Sequence, residues 1–532
     1  MSEDHNKGTI TKRSFLQSIG MIGGSAAVYS AMQGLDLASA SEMNEPPTLH
    51  TSGKCKKLII LGAGLSGMVT AIEMTKKGYD CQIIEARSTA GGRVKSARKG
   101  DVIHEIGGEK QVCNFNDNQY LNYGPWRIPA EHHATLHYCR ALGVKLEPMI
   151  NKSAQAYYYS EKSDGPLKGK RIRQVEMDVD RAGHVSELLA KCAVEGDLDK
   201  HLSAEDVERL IAYLRSTGLL GRKELNYRAN LARGYREYPG VAFDDGALSE
   251  PYALSEMLKV KVGSLFHTAD HPAVMFQPVG GMDSFSNAMF DALPRNIVRF
   301  NAEVTNILHD DEGVEITYTD TKTGKNRKIK GDYCISTIPF NVVSKIPSNF
   351  NPELINALKA PASAPAFKLG LQMSRRFWEQ DEMIYGGSSY SDIPEHGETS
   401  YPSSDLHSNL GGVILGVYMW GPKAVTLSNM SNAERVEFGL SIGEKLHPGK
   451  YRKYYTGNSI SMAWHKEKYN LAGCVMWSKR AKRKYLQTAL NGEKRILFTG
   501  NGITPNHGGW MTGAIEGAWH TMKEIDKRAA QL

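Results

Sequence analysis

The chain has 532 residues, of which 23% are charged and 41% are hydrophobic, and its formal net charge is +7. This length allows about two to four domains, and the composition excludes disordered, collagen-like and polytopic membrane proteins. The charge is too small for this length to indicate a nucleic-acid partner. Seven dispersed cysteines exclude a disulfide-stapled scaffold, and they show no zinc-ligand spacing, so we expect no metal site.

Residues 1–45 have the layout of a targeting segment, unlike the rest of the chain. Lys12-Arg13 precede a mild apolar stretch over residues 19–32, and Ala38-Ser39-Ala40 then form a small-x-small cleavage site. The stretch is too short and too weakly apolar for a stable membrane span. Its layout resembles a twin-arginine export signal with Lys12 in place of the first arginine. We expect export to the periplasm or beyond; the alternative is a disordered tail on a cytoplasmic protein.

The next elements form a dinucleotide-binding pattern. A buried parallel strand over residues 57–61 leads into Gly-Ala-Gly-Leu-Ser-Gly at 62–67, then into a helix and a second strand that ends at Glu85. The glycines let backbone N–H groups approach a pyrophosphate at the helix N-terminus. Glu85 lies 18 residues past Gly67, where a carboxylate accepts both ribose hydroxyls of an adenosine. Because the strand, the glycines, the helix, the second strand and the acid occur in this order and at this spacing, the segment predicts a dinucleotide site.

The residues after the second strand bear on whether the dinucleotide is NAD or FAD. Glu-Ala-Arg at 85–87 leads to Gly-Gly-Arg at 91–93, and this run resembles the flavin amine oxidase family. The glycines let the loop pass close to the pyrophosphate, and Arg93 can neutralise its charge. The resemblance implies an α/β fold in which a Rossmann-like FAD-binding domain of the glutathione-reductase type is interleaved with a mixed-sheet substrate domain and a helical subdomain.

Residues 124–129, Gly-Pro-Trp-Arg-Ile-Pro, precede a predicted helix that starts near Pro129. Arginine suits bidentate capture of a carboxylate. The segment resembles the G-P/A-M-R-x-P motif of L-amino-acid oxidases, which implies that Arg127 binds the substrate carboxylate. The alternative is a structural salt bridge of Arg127 at a helix start.

The middle of the chain alternates between helical and strand patterns. Ser203 begins a capping-box-like helix start. Residues 303–307 and 313–318 predict a β-hairpin. The family resemblance implies that the backbone of Val304, in its first strand, contacts the adenine. The predicted segments are a tail over 1–45, the FAD-binding domain over 54–125, 272–345 and 460–532, the substrate-binding domain over 126–150 and 346–459, and the helical subdomain over 151–271.

Three further residues bear on catalysis. Lys368 lies inside an otherwise apolar strand, where a lysine is costly to bury. In flavin amine oxidases a lysine here holds a water against flavin N5, and the alternative is an edge-strand lysine whose amine reaches solvent. The strand over 412–421 resembles a strand of amino-acid oxidases whose tyrosine hydroxyl is the second partner of the substrate carboxylate, which implies this role for Tyr418. Trp420 is the competing aromatic residue, and the alternative for either residue is a place in the hydrophobic core.

The C-terminal segment completes the flavin resemblance. A strand ends at Gly500, a His-Gly-Gly-Trp loop comes next, and a helix begins at Met511, whose N-terminus can stabilise negative charge on a reduced flavin. Gly509 and Trp510 resemble amino-acid oxidases, in which the tryptophan borders flavin and substrate. Asn501 stands where the family has an acid. This loop contains no cysteine, so we expect non-covalent FAD.

The resemblance implies a set of cofactor-binding residues. Trp464 joins this set because it begins a run similar to the family's W-x-x-D-x-Y segment, with Glu467 in place of the aspartate. The full set is Gly62, Gly64, Leu65, Ser66, Gly67, Glu85, Ala86, Arg87, Gly92, Arg93, Gly124, Pro125, Trp126, Arg127, Val304, Trp464, Gly500, Asn501, Gly509, Trp510 and Met511.

The implied activity is oxidation of L-amino acids to 2-oxo acids, ammonia and hydrogen peroxide, by hydride transfer from Cα to flavin N5 with O2 as acceptor. Aromatic residues around the site predict large apolar or aromatic substrates, and a homodimer is usual among similar enzymes. The alternatives are an amino-acid 2-monooxygenase that yields an amide, a polyamine or monoamine oxidase, in which Arg127 would have no carboxylate to bind, and an FAD-binding module without turnover.

Overall fold

The computed structural model describes residues 44–49, 56–241, 243–262, 271–504 and 507–530. The chain divides into two compact units, Met1–Thr48 and Leu49–Leu532. Within the first unit only residues 44–48 are described, and they form neither helix nor strand. The residues that carry the predicted export signal lie outside the described ranges. Within those ranges, no helix combines the length and the apolar character that crossing a membrane needs.

A five-stranded parallel sheet forms the half of the second unit for which the sequence predicts dinucleotide binding. The predicted first strand, Lys57–Leu61, lies at its centre, and Ile59, Ile60 and Leu61 are completely buried because both faces of the sheet are covered. Helix Leu65–Lys76 connects this strand to its parallel neighbour, as the glycine pattern predicts. In spatial order the strands are Val298–Arg299, Asp80–Ile84, Lys57–Leu61, Tyr333–Ser336 and Ile496–Phe498.

Two helices begin at one edge of this sheet. Helix Met511–Ala529 packs against helix Leu65–Lys76, and the Ser66 hydroxyl donates a hydrogen bond to the Ala514 carbonyl at 2.7 Å. Gly67 permits the first helix to lie close to the strand, since a Cβ there would be 2.0 Å from the Gly62 carbonyl oxygen. The N-termini of both helices therefore reach the carboxyl ends of the parallel strands.

A seven-stranded mixed sheet forms the other half. Strand Ala366–Met373, buried at all eight residues, has neighbours on both sides. Helices Pro422–Ser428 and Asn432–Leu446 pack on this sheet. In spatial order its strands are Tyr455–Ala463, Ala366–Met373, Gly412–Trp420, Glu398–Ser400, Ser388–Ser391, Tyr157–Tyr159 and Arg171–Arg173. The α/β class with a parallel sheet interleaved with a mixed sheet is thus confirmed.

The segment predicted to be a helical subdomain has a mixed character. Its long helices Gln174–Val194 and Ala204–Thr217 pack on each other, and the Ser203 hydroxyl accepts the Asp206 N–H, as the capping pattern predicts. The same segment also supplies the last two strands of the seven-stranded sheet, which the helical pattern did not predict. Its smaller elements are strands Tyr235–Glu237 and Ala247–Leu248 and helix Leu254–Met257.

The predicted hairpin at 303–318 is present, with a third antiparallel strand added. Its turn is stabilised because the Asp310 carboxylate accepts the N–H groups of Glu312 and Gly313 at 2.8 and 2.9 Å. The strands are Ala302–His309, Val314–Asp320 and Asn326–Gly331. Two-stranded pairs join Val102–His104 to Lys110–Val112, Leu146–Ile150 to Val274–Pro278, and Ala362–Ala364 to Cys474–Met476. The remaining helices are His133–Ala141, Asp283–Asp291, Phe340–Val343, Pro352–Lys359, Phe377–Gln380, Tyr451–Tyr454, Trp464–Lys466 (3₁₀) and Lys479–Asn491.

A buried ion pair holds the 102–112 hairpin against the seven-stranded sheet. Arg435 donates from both terminal nitrogens to the Glu105 carboxylate, at 3.2 and 2.8 Å, and the two side chains are only 3% and 2% exposed. The same carboxylate accepts the Ala463 N–H at 2.7 Å. Breaking such a pair leaves one charge buried without its partner, which is strongly destabilising.

We therefore expect Glu105→Gln to lower the free energy of unfolding by about 3 kcal/mol, because the Arg435 charge would be left uncompensated. Urea denaturation followed by tryptophan fluorescence measures this change. Asp117→Asn is the control, since the Lys99–Asp117 pair is exposed and contributes little. Equal midpoints for the two variants would contradict the assignment.

Candidate active site

A cavity of about 1250 Å³ lies at the carboxyl edge of the parallel sheet and reaches the seven-stranded sheet. With one exception, every site residue predicted from the sequence lines it, including Lys368, Tyr418 and Trp420. The exception is Gly67, which acts by allowing the close helix–strand packing described above. The structure thus brings the predicted residues of both chain ends and the middle together around one space.

One end of this cavity suits an anionic group. Beyond Gly64 itself and its two chain neighbours, no other part of the described chain comes within 4 Å of an added Cβ at Gly64. An added Cβ at Gly92 would lie 3.3 Å from the Gly64 Cα, so the two loops face each other closely. Both helices that begin here lack an acid in their first turn. Their N-terminal N–H groups and partial positive charge fit a pyrophosphate.

Glu85 joins the first and second strands at the cavity wall. Its carboxylate accepts the Ala63 N–H at 2.7 Å and the Arg87 N–H at 2.8 Å, and the residue is 4% exposed. Each oxygen retains acceptor capacity for a ribose hydroxyl. Val304 also lines the cavity, together with Ile338 and Val342, so this end offers an apolar surface for an adenine.

Arg93 supplies a cation between the two halves of the cavity. Its guanidinium donates to the Gly473 carbonyl at 2.6 Å and to Asn501 Oδ1 at 2.7 Å. Burial lowers the pKa of Arg93 to about 10, which still leaves it charged at neutral pH. Asn501 replaces the expected acid, and its uncharged amide oxygen orients the Arg93 guanidinium by accepting this hydrogen bond. Because Asn501 carries no negative charge, it leaves the positive charge of Arg93 available to a phosphate.

Arg87 has a different role. It forms an ion pair with Glu467, at 2.5 Å, and donates to Asn470 Oδ1 at 2.5 Å. Glu467 is the acid that replaces the expected aspartate, and it reaches across to the end of the second strand. Trp464 in the same run stacks on Tyr123 at 5.6 Å between ring centroids. The sequence pattern located Trp464 but did not predict the Arg87–Glu467 contact, because the two residues are 380 positions apart.

At the other end of the cavity, Arg127 is 5% exposed and donates to Asn151 Oδ1 at 2.5 Å. Asn151 in turn donates to the Pro272 carbonyl at 3.1 Å. The predicted helix begins at His133 rather than near Pro129. The structural alternative for Arg127 placed it at a helix start, and Arg127 does not lie at one. Asn151 was missed from the sequence because no motif marks a buried amide.

Lys368 lies close to Arg127 and Tyr418. It is 2% exposed, and its amine donates to the carbonyls of Asn122 at 3.0 Å and Gly124 at 2.6 Å. Since its strand has a neighbouring strand on each side, the alternative of an edge-strand lysine is wrong. Burial, with Arg127 adding to it, holds the pKa of Lys368 well below the usual range of a lysine, although Glu398 opposes this shift.

The aromatic side chains have distinct surroundings. Lys368 Nζ lies 4.9 Å from the Trp126 ring centroid and 4.5 Å from that of Tyr418. Burial raises the pKa of Tyr418, so its phenol stays protonated as a hydrogen-bond donor. Trp420 is 40% exposed, which places it at the cavity rim and favours Tyr418 as the partner of a carboxylate.

Trp510 is held at the cavity by two imidazoles. Its ring contacts His132 at 4.8 Å and His271 at 5.3 Å between centroids. Gly509, with a φ of +88°, precedes it in a backbone conformation that favours glycine. Cys474 lines the cavity 3.9 Å from the position of an added Cβ at Gly509. Neither histidine nor the cysteine was singled out from the sequence, because each is an isolated residue outside any motif.

Comparisons with known proteins agree with this geometry. A family model described as "Flavin containing amine oxidoreductase" matches residues 65–525. YobN of Bacillus subtilis (strain 168) is 25% identical over 491 residues, which span 90% of this chain and 96% of YobN. The L-amino-acid oxidase of Crotalus adamanteus is 25% identical over 497 residues, spanning 90% of this chain and 88% of that protein.

A solved structure shares the fold. The cyclohexylamine oxidase from Brevibacterium oxydans IH-35A superimposes with a TM-score of 0.58 and covers 89% of this chain and 99% of its own. The two sequences are 15% identical, so this likeness concerns the fold alone.

Arg93→Met is expected to raise the dissociation constant for FAD by about 10- to 100-fold, because a charged hydrogen-bond donor contributes about 1.5–3 kcal/mol. Quenching of flavin fluorescence on titration of the apoprotein measures this constant. Arg209→Met, on the exposed face of helix Ala204–Thr217, is the matched control. An unchanged affinity in Arg93→Met would show that the guanidinium does not contact the phosphates.

Proposed function

Because the chain belongs to the flavin-containing amine oxidoreductase family, we propose that it is an FAD-dependent oxidase of L-amino acids. Membership makes the chain an enzyme of a flavin-dependent family and implies a flavin cofactor. The similarities support oxidation of amines in general; the restriction to α-amino acids is our proposal.

The observation that carries this proposal is the position of Arg127. A buried guanidinium and a protonated phenol, Tyr418, lie at the same end of the cavity, and Arg127 is near enough to influence the pKa of both Tyr418 and Lys368. An arginine with a phenol donor beside it suits the carboxylate of an amino acid. A simple amine has no group for this arginine to bind.

The cofactor and the site residues have separate roles in this reaction. Bound FAD would supply the two-electron oxidation, with O2 as the final acceptor and hydrogen peroxide as its product. Arg127 and Tyr418 hold the carboxylate and so orient the Cα–H bond. Lys368 donates hydrogen bonds to two backbone carbonyls, and its amine, which lines the cavity, can hold a water by a further hydrogen bond. The imino acid is released to water and hydrolyses to a 2-oxo acid and ammonia.

The side chain of the substrate meets an aromatic wall. Trp126, Tyr418, Trp420 and Trp510 all line the cavity. Such a wall favours large apolar and aromatic side chains through burial of their surface. We therefore propose Phe, Tyr, Trp, Leu and Met as substrates.

Arg127→Met is expected to lower kcat/KM for these substrates by about 30- to 4000-fold, mainly through KM, since loss of one partner in a buried charge pair costs about 2–5 kcal/mol. A peroxide-coupled assay over L-amino acids, with mass analysis of the products, measures it. The flavin absorbance of the variant is the control for folding.

The product analysis also separates the alternatives. A 2-oxo acid with ammonia and peroxide supports the proposed oxidase, whereas an amide with carbon dioxide identifies a monooxygenase. Oxidation of amines in preference to every amino acid would contradict the assignment of Arg127. A flavin that no amine or amino acid bleaches under anaerobic conditions would indicate a binding module.

We also propose that FAD is bound without a covalent bond. Cys474 lines the cavity, and burial raises the pKa of its thiol, although Arg93 opposes the shift. A thiol that stays protonated is a poor nucleophile. Precipitation in trichloroacetic acid is therefore expected to release yellow FAD into the supernatant, and flavin retained in the pellet would show attachment. Cys474→Ala, as the control, is expected to release FAD in the same way.

A further inference from the structure

Ser391 lies at the substrate end of the cavity, as the last residue of strand Ser388–Ser391. It is partly exposed and lines the cavity, as do Gly397 and Tyr418. Gly397 bridges to Tyr418 on the next strand, and an added Cβ at Gly397 would lie 1.9 Å from the Tyr418 carbonyl oxygen. The turn that follows Ser391 is therefore packed closely against the strand that carries Tyr418.

A chain of hydrogen bonds fixes the direction of the Ser391 hydroxyl. The Thr399 hydroxyl donates its single proton to the Gly416 carbonyl at 2.9 Å, so it accepts from His396 Nε2, which lies 2.9 Å away. Nε2 therefore carries the proton of the neutral imidazole, and Nδ1 is its acceptor. Because Ser391 Oγ lies 2.7 Å from this Nδ1, the serine hydroxyl donates to it.

His396 keeps this arrangement because it stays neutral. Its side chain is completely buried, and burial lowers the pKa of His396 to about 3. An imidazolium would donate from both nitrogens and so would reverse the bond to Ser391. At neutral pH the proton of the serine hydroxyl is therefore committed to His396.

Ser391 consequently presents its oxygen to the cavity as an acceptor. This oxygen accepts the Ile393 N–H at 3.3 Å, which is its one other hydrogen bond within the described ranges. A hydroxyl oxygen has two acceptor lone pairs, so one lone pair of Ser391 is left for a ligand. A ligand at this position gains a hydrogen bond only if it brings a donor.

The residue after Ser391 shows the contrast. Asp392 lines the same cavity, but its carboxylate accepts the Ser160 hydroxyl at 2.6 Å and the N–H groups of Glu161 and Lys162 at 2.7 and 3.1 Å. Donors of the protein itself thus compensate the Asp392 charge. The acceptor that Ser391 offers is neutral, which suits an uncharged donor.

We infer that Ser391 makes the cavity prefer aromatic amino acids whose ring carries a hydrogen-bond donor, tyrosine and tryptophan, over phenylalanine. This inference rests on the proposed function and ranks the substrates that it names. The strand of Ser391 is the second from that of Tyr418, which places the two residues about 10 Å apart at the usual strand spacing. This separation is of the same order as the length of an aromatic amino acid whose carboxylate is held by Arg127 and Tyr418.

The aromatic wall alone predicts the opposite order. A phenol loses its hydrogen bonds to water when it enters an apolar cavity, so without an acceptor tyrosine is a poorer ligand than phenylalanine. A serine hydroxyl that rotates freely would serve donors and acceptors equally. An oxygen whose proton is committed favours a donor and repels another acceptor, so paired substrates distinguish the three cases.

The experiment measures kcat/KM of the holoenzyme for such pairs in the peroxide-coupled assay. The value for tyrosine is expected to exceed that for phenylalanine by about 2- to 12-fold, as for one net hydrogen bond. The value for para-aminophenylalanine, a donor, is expected to exceed that for para-nitrophenylalanine, an acceptor, by about tenfold or more, because the nitro group would oppose the Ser391 oxygen.

Ser391→Ala is expected to lower the tyrosine-to-phenylalanine ratio to about one or below, since only the apolar wall remains. Ser374→Ala is the matched control, because Ser374 is an exposed serine at the end of another strand of the same sheet and does not line the cavity. Its ratio is expected to equal that of the wild type. If Ser391→Ala does not retain flavin, the two wild-type pairs decide the inference.

Binding is measured separately with α-methyl-tyrosine and α-methyl-phenylalanine, which have no Cα–H to lose. Tighter binding of α-methyl-tyrosine by calorimetry, lost in Ser391→Ala, supports the inference even if no amino acid is oxidised, an outcome that would instead defeat the proposed function. Equal or weaker binding of α-methyl-tyrosine, turnover that favours phenylalanine or the nitro compound, or an unchanged ratio in Ser391→Ala would each overturn the inference.

Discussion

The site depends on how the protein satisfies one buried amine. Lys368 lies in the middle of a fully buried strand, and its hydrogen bonds go to the carbonyls of Asn122 and Gly124. Those two residues closely precede Trp126 and Arg127 in the chain. The requirement that a buried amine be hydrogen-bonded therefore fixes the segment that carries Arg127 against the sheet that carries Tyr418. A substrate-binding arrangement thus results from a constraint on burial.

A second constraint shapes the opposite end of the cavity. Backbone must approach a phosphate closely, and glycine at 62, 64 and 92, which line the cavity, leaves no Cβ atom to obstruct this approach. The Ser66–Ala514 hydrogen bond then holds the N-termini of two helices side by side. The electrostatics of this end come largely from the backbone, whereas those of the substrate end come from the side chains of Arg127, Tyr418 and Lys368.

The parts of the structure that sequence predicted well are those in which a local pattern has a single physical solution. The strand, glycine turn, helix and acid at 57–85 form one such unit, and the Asp310 turn is another. Contacts between distant positions were not predictable in this way. The Asn151 partner of Arg127 and the strands contributed by residues 157–159 and 171–173 depend on tertiary packing, which overrides local preference.

The order of strands in the parallel sheet has a consequence for biosynthesis. Strands Lys57–Leu61 and Asp80–Ile84 can pair as soon as residues 57–84 have been made, but the edge strand Ile496–Phe498 and the helix after it lie far later in the chain. Pairings this remote in sequence form slowly, because a long loop must close first. The nucleotide pocket is therefore completed late in folding, only after the strand and helix over residues 496–529 have packed against the unit that residues 57–84 begin.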